Sequence, residues 1–375
     1  MQAEIISNGD ELISGKILDT NSQWLSIKLA DIGVTTLYHT TVGDDLAAMV
    51  DVLRVASERA DLILWTGGLG PTADDLTRQA IAESVGVPLE KNDDSMQLIR
   101  EMFQRRGREM PKANEIQAFQ PLGAAPIRNP HGTAPGIDLT VQRKKANKNG
   151  RLNFYRIMAY PGVPAEMQEM WYDSGQKSIQ EMLDQLTGQK RVVRFRTIHS
   201  FGLGESQVEA MLPDIINRKH EPKVGITANR ATITLRIVAE AETEEECFKK
   251  IEPTATLIYK TLGDLIFGEG DDRLQEIVCR KLNLSGKTLA VIEAGTRGLL
   301  TEAIAGSKET PHCLAGGIVL PPKQPIDPDE MIRRGRRLFN VDYLLLVGAY
   351  PAGKPDKNQT EETFVAVIDA RKTNS

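Results

Sequence analysis

The chain has 375 residues, of which 41% are hydrophobic and 26% charged, and its formal net charge is -5. This length predicts two or three domains, and the acidic balance excludes a protein that coats nucleic acid or anionic membrane through its overall field. The sequence shows no apolar run of the roughly 20 residues that cross a bilayer and no signal-peptide pattern. Its three cysteines are too far apart for a zinc site and odd in number for disulfides. A cytoplasmic protein is therefore expected.

The first half of the sequence alternates strand and helix patterns. Strands are predicted at 4–7, 35–41 and 61–65, and a helix capped by Asn21 follows the first of them. Strands separated by single helices predict a parallel sheet that is covered on both faces. Ligands of such sheets bind at the carboxyl ends of the strands.

The pattern then changes to a hairpin. Strands are predicted at 137–141 and 152–160, joined by the basic run 143–150, and a helix at 164–186 closes the first domain. The basic run is either a solvated hairpin tip or a phosphate contact, and the first reading is favoured.

Two smaller units are predicted after this domain. The second is a small α+β module, with strands at 192–198, 231–239 and 265–267 and helices at 205–216 and 244–262. The third alternates again, with helices at 273–282 and 296–305 and strands at 288–292, 317–320, 343–347 and 364–368. The predicted domains are residues 1–188, 189–268 and 269–375.

A glycine-rich turn, Thr66–Thr72, follows the strand at 61–65 and precedes a helix predicted from about Ala73. Glycines allow backbone N–H groups to approach phosphate oxygens, and a helix N-terminus adds partial positive charge. The adjacent Asp74 and Asp75, with Asp44 at another strand end, suit a divalent cation that bridges protein and phosphate. The competing explanation is a capping box formed by Thr72 and Asp75.

The turn and several other segments match one known family in order along the chain. These segments are Gly9–Leu12 with Gly15, Asp19–Asn21, Val42–Asp44, Thr66–Thr77, Asn114 with Gln117, Asn129 with Gly132–Gly136, Pro161–Pro164 with Glu166 and Met167, and Phe201–Ser206. Over residues 1 to about 268 the sequence resembles the CinA (competence/damage-inducible protein) family, whose first domain is MoaB/Mog-like.

The resemblance implies the fold and an activity. The expected fold is a three-layer α/β/α MoaB/Mog-like domain, a small α+β KH-like module and a degenerate α/β CinA C-terminal domain. The implied activity is a hydrolase, an ADP-ribose pyrophosphatase that needs a divalent metal ion (Mg, Mn or Co) and gives AMP and ribose 5-phosphate. The resemblance also implies a homodimer. No membrane partner is expected.

The same resemblance assigns roles to residues of the first domain. Asp44 and Asp75 are the expected catalytic residues, and Asp44, Asp74 and Asp75 the expected metal ligands. The expected substrate contacts are Asn21, Thr66, Gly67, Gly68, Leu69, Gly70, Thr72, Gly132, Thr133 and Ala134.

Other basic residues near these segments have two possible roles. His131 is either a general base or a structural loop residue, and the second is favoured. Arg105, Arg106 and Arg108 either reach a phosphate from a flap or form a solvated helix face.

Two alternatives to hydrolysis remain open at this point. The first is a module that binds a pterin or nucleotide without cleaving it. The second is a nucleic-acid partner, which is disfavoured because the middle unit has Gly202-Leu203-Gly204-Glu205 in place of a Gly-x-x-Gly clamp.

The C-terminal third resembles the nicotinamide-nucleotide amidase domain of the same family, without its nucleophile. The segment Ile292–Gly298 has Ala294 at the serine position, a proline of Pro321-Pro322 stands at the tyrosine position, and Ile326 stands at the lysine position. A glycine-proline loop of the family is replaced by Ala349–Ala352. Removing an activated nucleophile costs on the order of 10⁶-fold in turnover in a well-studied serine hydrolase, so amidase activity is predicted to be lost.

Overall fold

The computed structural model describes residues 1–143, 152–188, 191–217, 220–229, 231–308, 312–321, 327–348 and 365–369. The chain forms two compact units, residues 1–195 with 239–249 and residues 196–238 with 250–375. The division into domains at 188 and 268 stays a prediction.

The N-terminal domain is built on one main sheet. Its strands are β1 (Gln2–Asn8), β2 (Thr35–Val42), β3 (Leu62–Thr66), β4 (Leu89–Lys91), β5 (Phe119–Pro121), β6 (Ala125–Ile127), β7 (Gly136–Gln142) and β8 (Phe154–Tyr160). Its α-helices are α1 (Asp10–Ile13), α2 (Thr20–Asp31), α3 (Leu46–Arg59), α4 (Thr77–Val85), α5 (Asp93–Arg105), α6 (Pro164–Met170) and α7 (Gln176–Thr187), with a 3-10 helix at Lys112–Ala118 and a π-helical turn at Trp171–Gly175. The main sheet has the order β2-β1-β3-β8-β7-β6, and β4 pairs separately with β5.

The main sheet is parallel in its centre and covered on both faces. Strands β2, β1, β3 and β8 are parallel, and β7 and β6 continue the sheet antiparallel. Successive side chains of a strand point to opposite faces. Ile6 and Trp65 accordingly pack with α3 and α4, whereas their neighbours Ile5 and Leu64 pack with α2, α6 and α7. The predicted three-layer α/β/α domain is confirmed.

Two predicted helix starts are wrong, for reasons visible in the hydrogen bonds. Helix α2 is capped by Asp19, which accepts from Ser22 N at 2.9 Å, and Asn21 lies inside the first turn of this helix. The Nδ2 of Asn21 donates to Thr66 Oγ1 and Gly162 O. Helix α4 begins at Thr77 and not near Ala73.

The hairpin prediction is confirmed by the antiparallel pairing of β7 with β8. At its base, Arg143 donates to Ala60 O at 2.6 Å and to Leu152 O at 3.1 Å. Its side chain is only 10% exposed, so this first residue of the basic run anchors the hairpin and is not solvated. The other residues of the run lie outside the described ranges.

The second module is α+β, as predicted. It contains β9 (Val192–Phe201), α8 (Glu205–Met211), β10 (Lys223–Asn229), β11 (Thr232–Ala241), α9 (Glu244–Leu262), a 3-10 turn at Gly263–Leu265 and β12 (Ile266–Glu269). The strand order is β10-β11-β9-β12, with β10 antiparallel to β11 and β12 antiparallel to β9. Strand β10 was not predicted, because most of its side chains are exposed and it has no buried apolar alternation.

The C-terminal module is a second, smaller α/β sheet. It contains α10 (Leu274–Leu284), β13 (Leu289–Glu293), α11 (Leu299–Ala305), β14 (Leu314–Val319), α12 (Pro328–Leu338), β15 (Tyr343–Val347) and β16 (Val365–Asp369). Strand β13 is parallel to β14 and β15, and β16 is antiparallel to β15. Cys279 and Ile304 pack on one face and Met331 on the other, so the predicted α/β class is confirmed.

Candidate functional site

A cavity of about 420 Å3 lies where the parallel strands β1, β3 and β8 end. Loops after these strands and segments nearby in space supply its walls. The lining residues are Asn8, Gly9, Glu11, Asp44, Gly67–Pro71, Asp74, Asp75, Gln117, Thr133, Ala134, Pro161–Val163 and Glu166. The volume is within the range of small-molecule sites, and the position is the one expected for a ligand of a parallel sheet.

The floor of the cavity is main chain that only glycine can form. Gly67 has φ 113° and Gly68 φ 63°. A Cβ on Gly67 would lie 2.6 Å from Asn8 Oδ1, and one on Gly68 would lie 2.3 Å from Thr77 Oγ1. On the opposite loop, a Cβ on Gly162 would lie 3.4 Å from the Cα of Gly67, so the two backbones run close together.

The glycine turn presents unused donors to this cavity. Gly70 N and Gly67 N bond to Asp75 and Tyr160, but within the described ranges no protein acceptor receives the N–H of Gly68 or Leu69. Buried backbone N–H groups normally find a partner, and Leu69 is buried. These two are therefore available to an anionic ligand.

Asp75 holds the turn closed. Its Oδ1 accepts from Gly70 N at 2.7 Å, and its Oδ2 accepts from Thr72 N at 2.8 Å. The single hydroxyl hydrogen of Thr72 is shared between Asp75 Oδ2, at 2.5 Å, and Asp74 Oδ1. These bonds keep the chain out of helical conformation until Thr77, so Thr72 is not a helix N-cap and the capping box does not form. The Thr72–Asp75 contact exists, but it shapes the loop.

Asp44 is fixed on the other side of the cavity. It accepts from Asn8 Nδ2 at 2.6 Å and from Asp10 N at 3.2 Å, and its own N–H donates to Asp10 Oδ1 at 3.1 Å. Asn8 is in turn held by Trp65, whose indole N–H donates to Asn8 Oδ1 at 2.9 Å. The carboxylate is thereby oriented by the core of the domain.

Asp74 is exposed at the rim. A hydrogen bond from the Thr72 hydroxyl, followed by a backbone hydrogen bond, lowers the pKa of Asp74 below its ordinary value. The side chain is therefore ionised at neutral pH.

The three predicted metal ligands, Asp44, Asp74 and Asp75, all line this cavity. They do not form a ready-made cluster. In the part of the chain that the structure describes, no three His, Cys, Asp or Glu side chains come together closely enough to hold a metal ion by themselves.

The predicted substrate contacts divide into two groups. Gly67, Gly68, Leu69, Gly70, Thr133 and Ala134 line the cavity. Asn21, Thr66, Thr72 and Gly132 are not among its lining residues.

The second group supports the loops from behind. Asn21 Nδ2 donates to Thr66 Oγ1 at 2.9 Å and to Gly162 O at 2.8 Å. Gly132 N donates to Asn129 Oδ1 at 2.7 Å, and Asn129 Nδ2 reaches Glu166 Oε2 at 2.8 Å.

The candidate basic residues lie outside the set that lines the cavity. His131 pairs with Glu169, and its carbonyl accepts from Arg106. Arg105 is exposed and bonds back to Glu101 O within its own helix, at 3.4 Å. These contacts favour the structural explanation for His131.

Sequence reasoning missed Arg78. Its guanidinium is 3% exposed and donates to Leu69 O at 2.8 Å and Gly70 O at 2.6 Å. Burial lowers the pKa of Arg78 to about 10, and the neighbouring charge of Asp75 acts in the opposite direction. A charged residue immediately after the glycine motif was the available signal, but only the fold reveals that the side chain turns back under the loop.

In the C-terminal module, the carboxylate that precedes Ala294 has become a structural anchor. Glu293 is fully buried and accepts from Leu300 N at 3.1 Å, from Thr301 N at 2.9 Å and from the hydroxyls of Thr296 and Thr301. Burial raises the pKa of Glu293, but these hydrogen bonds together hold it below its ordinary value. Of the substituted positions, Ile326 and 349–352 lie outside the described residues, and Pro321 is the last described residue before 327.

Comparison with known proteins identifies two family models in this chain. Residues 4–181 match the model described as a probable molybdopterin binding domain, and residues 195–268 match the damage-inducible protein CinA KH domain. With the sheet order and cavity described above, they define a molybdopterin-binding type of α/β domain followed by a KH domain.

Relatives of known name are similar along most of the chain. A competence-damage inducible protein of Bacillus cereus is 37% identical over 319 residues, which are 85% of this chain and 74% of the relative. One from Geobacillus is 34% identical over 319 residues, 85% of this chain and 73% of the relative. The chain belongs to the CinA family of competence-damage inducible proteins.

Solved structures are similar to about half of the chain. CinA from Thermoplasma acidophilum is 29% identical with a TM-score of 0.40, covering 47% of this chain and 98% of that one. MoaB from Thermus thermophilus is 20% identical with a TM-score of 0.33, covering 50% and 97%.

Among the described helices, none combines the length and the apolar character needed to cross a membrane.

Proposed function

We propose that the N-terminal domain hydrolyses the pyrophosphate of ADP-ribose or a similar nucleotide with the help of a divalent metal ion, and that the products are AMP and ribose 5-phosphate. One observation carries the proposal: unused N–H groups of Gly68 and Leu69 line the same cavity as the carboxylates of Asp44 and Asp74. A site that only binds an anion is weakened by nearby carboxylates. A cation shared with the substrate accounts for both features.

The donor set fits a metal ion of the magnesium type. Mg²⁺ is usually held by one or two carboxylates together with substrate phosphate oxygens, and does not require an all-protein cage. Asp44 and Asp74 would hold the ion, whereas Asp75, whose hydrogen bonds all come from Gly70 and Thr72 of the turn, would contribute mainly by shaping the loop. When bound, such an ion neutralises phosphate charge and lowers the pKa of a bound water.

The protein's own contribution to the reaction is positioning and charge stabilisation. Water attacks one phosphorus, the bond from that phosphorus to the bridging oxygen breaks, and this oxygen leaves on the other phosphate. The N–H groups of Gly68 and Leu69 would bond to non-bridging oxygens, where negative charge builds up. Fixed backbone donors need no reorganisation during this step.

The test measures AMP release from ADP-ribose by chromatography, with Mg²⁺, Mn²⁺ or Co²⁺ and with a chelator. We expect AMP only when metal is present, and a loss of at least 100-fold in Asp44→Asn, on the order of removing one electrostatic contact in a catalytic site. Asp51→Asn is the matched control, because Asp51 is exposed on α3 and pairs only with Arg54 among the described residues. Unchanged AMP release in the chelator or in Asp44→Asn would contradict the proposal.

A second candidate is a module that binds a pterin or nucleotide without cleaving it. It is favoured by the absence, among the described side chains, of a preformed cluster of three metal-binding groups. Tight nucleotide binding without product under all metal conditions would establish this alternative. The arginines of strand β9 give a nucleic-acid role little support, because Arg194 and Arg196 pair with Glu244 and Glu252, each at 2.9 Å.

For the C-terminal module we propose that amidase activity has been lost. Ala294 is fully buried at the position of the family's serine, and Glu293 is saturated by donors of the following helix. The same assays should include nicotinamide mononucleotide. Release of ammonia from it would refute this part of the proposal.

A further inference from the structure

Thr77, the first residue of α4, holds the carbonyl side of the glycine turn. Its side chain is fully buried, its Oγ1 donates to Gly67 O at 2.9 Å, and its backbone N–H donates to Gly68 O at 3.2 Å. Two successive peptide groups of the turn are thereby fixed by one residue.

The orientation of those peptide groups determines where their N–H bonds point. In a planar trans peptide, the C=O and the following N–H point in opposite directions. Because the carbonyls of Gly67 and Gly68 face Thr77, the N–H groups of Gly68 and Leu69 face away from the helix. Gly68 and Leu69 line the cavity, whereas Thr77 is not among its lining residues.

The next residue continues the same arrangement. Arg78 binds the carbonyls of Leu69 and Gly70, so Thr77 and Arg78 together hold the carbonyls of Gly67 through Gly70. The guanidinium also places a buried positive charge behind the loop. Phosphate oxygens on the cavity side would therefore meet N–H groups backed by a cation.

Thr77 also connects the turn with the acidic wall. Its Oγ1 lies 3.3 Å from Asn8 Oδ1, and Asn8 Nδ2 donates to Asp44 at 2.6 Å. A change at Thr77 reaches Asp44 only through Asn8, whereas it acts directly on the carbonyl of Gly67.

We infer that Thr77 is the positioning residue of a phosphate cradle, the N–H groups of Gly68 and Leu69, and that this cradle is formed before any metal ion binds. The identity of the ligand rests on the proposed function. The Thr77 hydroxyl sets the direction of the Gly68 N–H group. It touches neither substrate nor metal.

The decisive comparison is Thr77→Val with Thr77→Ser, because valine keeps the shape and removes the hydroxyl, whereas serine keeps the hydroxyl. The probe is AMP, titrated calorimetrically in the presence of a chelator. We expect AMP to bind the wild type, Thr77→Val to bind about tenfold more weakly, and Thr77→Ser to remain within about threefold, as loss of one hydrogen bond in a buried network implies. Thr254→Val is the matched control, since Thr254 is a buried threonine of helix α9 in the other unit.

Two results would overturn the inference: no AMP binding to the wild type without metal, or equal binding to Thr77→Val and the wild type. A loss in Thr77→Ser as large as that in Thr77→Val would also overturn it. If Thr77→Val does not fold, the inference is tested instead on ¹⁵N-labelled wild type, by following its amide resonances by NMR. Addition of inorganic phosphate should shift the Gly68 and Leu69 signals more than that of Gly86, and equal shifts would contradict the inference.

This design separates the cradle from catalysis. In the hydrolysis assay, the positioning role predicts a higher KM for Thr77→Val and, because the N–H groups face the developing charge, a lower kcat as well, with rescue of both by Thr77→Ser. If AMP binding follows the expected pattern but no metal condition releases AMP from ADP-ribose, the proposed hydrolase function fails and the cradle stands. If hydrolysis is observed and Thr77→Val changes neither binding nor KM, the cradle fails and the hydrolase stands.

Discussion

Replacing Asp75 with Asn tests whether this carboxylate shapes the glycine turn. The two oxygens of Asp75 accept hydrogen bonds from different residues. Oδ1 accepts from Gly70 N, and Oδ2 accepts from the N–H and the hydroxyl of Thr72. Asparagine keeps a single oxygen. Whichever way its amide is turned, its NH2 group faces a donor of the turn.

The expected loss of stability follows from these contacts. A hydrogen bond to a charged group contributes about 1.5–3 kcal/mol net. Asp75 is half-buried, so water replaces part of what is lost, and we expect the free energy of unfolding to fall by about 1–2 kcal/mol. For a domain of this size that corresponds to a Tm lower by about 2–8 °C.

Asp74→Asn is the control for the Asp75→Asn experiment, since it removes the same charge one residue away. Asp74 is exposed, and among the described residues the side chain that donates to it is the Thr72 hydroxyl. We therefore expect the free energy of unfolding of Asp74→Asn to stay within about 0.5 kcal/mol of the wild-type value. Thermal and chemical unfolding of both variants gives the comparison. Equal Tm values for the two variants would refute a structural role for Asp75.

Three further predictions concern Gly68, Arg78 and Glu293. In chemical denaturation, Gly68→Ala should lower the free energy of unfolding more than Gly86→Ala. Both glycines have positive φ, but a Cβ on Gly68 would lie 2.3 Å from Thr77 Oγ1, whereas a Cβ on Gly86 would meet no atom within 4 Å. Equal losses of unfolding free energy would contradict this prediction. Arg78→Met should cost about 2–4 kcal/mol of unfolding free energy, since two carbonyls lose their donor, and a loss below about 1 kcal/mol would show that the loop does not depend on it. Glu293 has a lowered pKa, so its ionised form stabilises the fold fully above the ordinary value of 4.5, and this contribution is lost as pH falls through the lower folded value. The difference in unfolding free energy between wild type and Glu293→Gln should therefore shrink between about pH 6 and pH 3, and a constant difference would refute the assignment.

The parts of the fold that were predictable are those with local patterns. Helix α9 lies at Glu244–Leu262, as predicted, and β3 leads into the glycine turn. Strands β4, β5 and β6 have three residues each, too few to show a period of two. Pairing partners elsewhere in the chain stabilise them, and sequence alone does not reveal those partners.

The candidate site was predictable in its location and only partly in its roles. Glycines after a buried strand, followed by carboxylates, placed the cavity correctly. The division of labour was not visible, because it depends on which groups approach one another in space. Asn21 was expected to cap a helix, yet it lies inside that helix and ties Thr66 to Gly162, and its expected contact with substrate stays a prediction. Arg78 was passed over, because a charged residue after the glycine motif does not by itself reveal that its side chain turns back under the loop.

Because the main chains of Gly67 and Gly162 run close together, the base of the cavity consists of backbone and has no side chains that could change rotamer. Side chains can adapt to a new ligand by turning about their χ angles, but two crossing backbones cannot. Under the proposed function, a change of nucleotide preference would therefore begin at the sides, at positions such as Gln117 and Val163, while the base retains its shape and its N–H groups. Relatives with altered substrates are expected to share the same glycines and to differ in the surrounding wall.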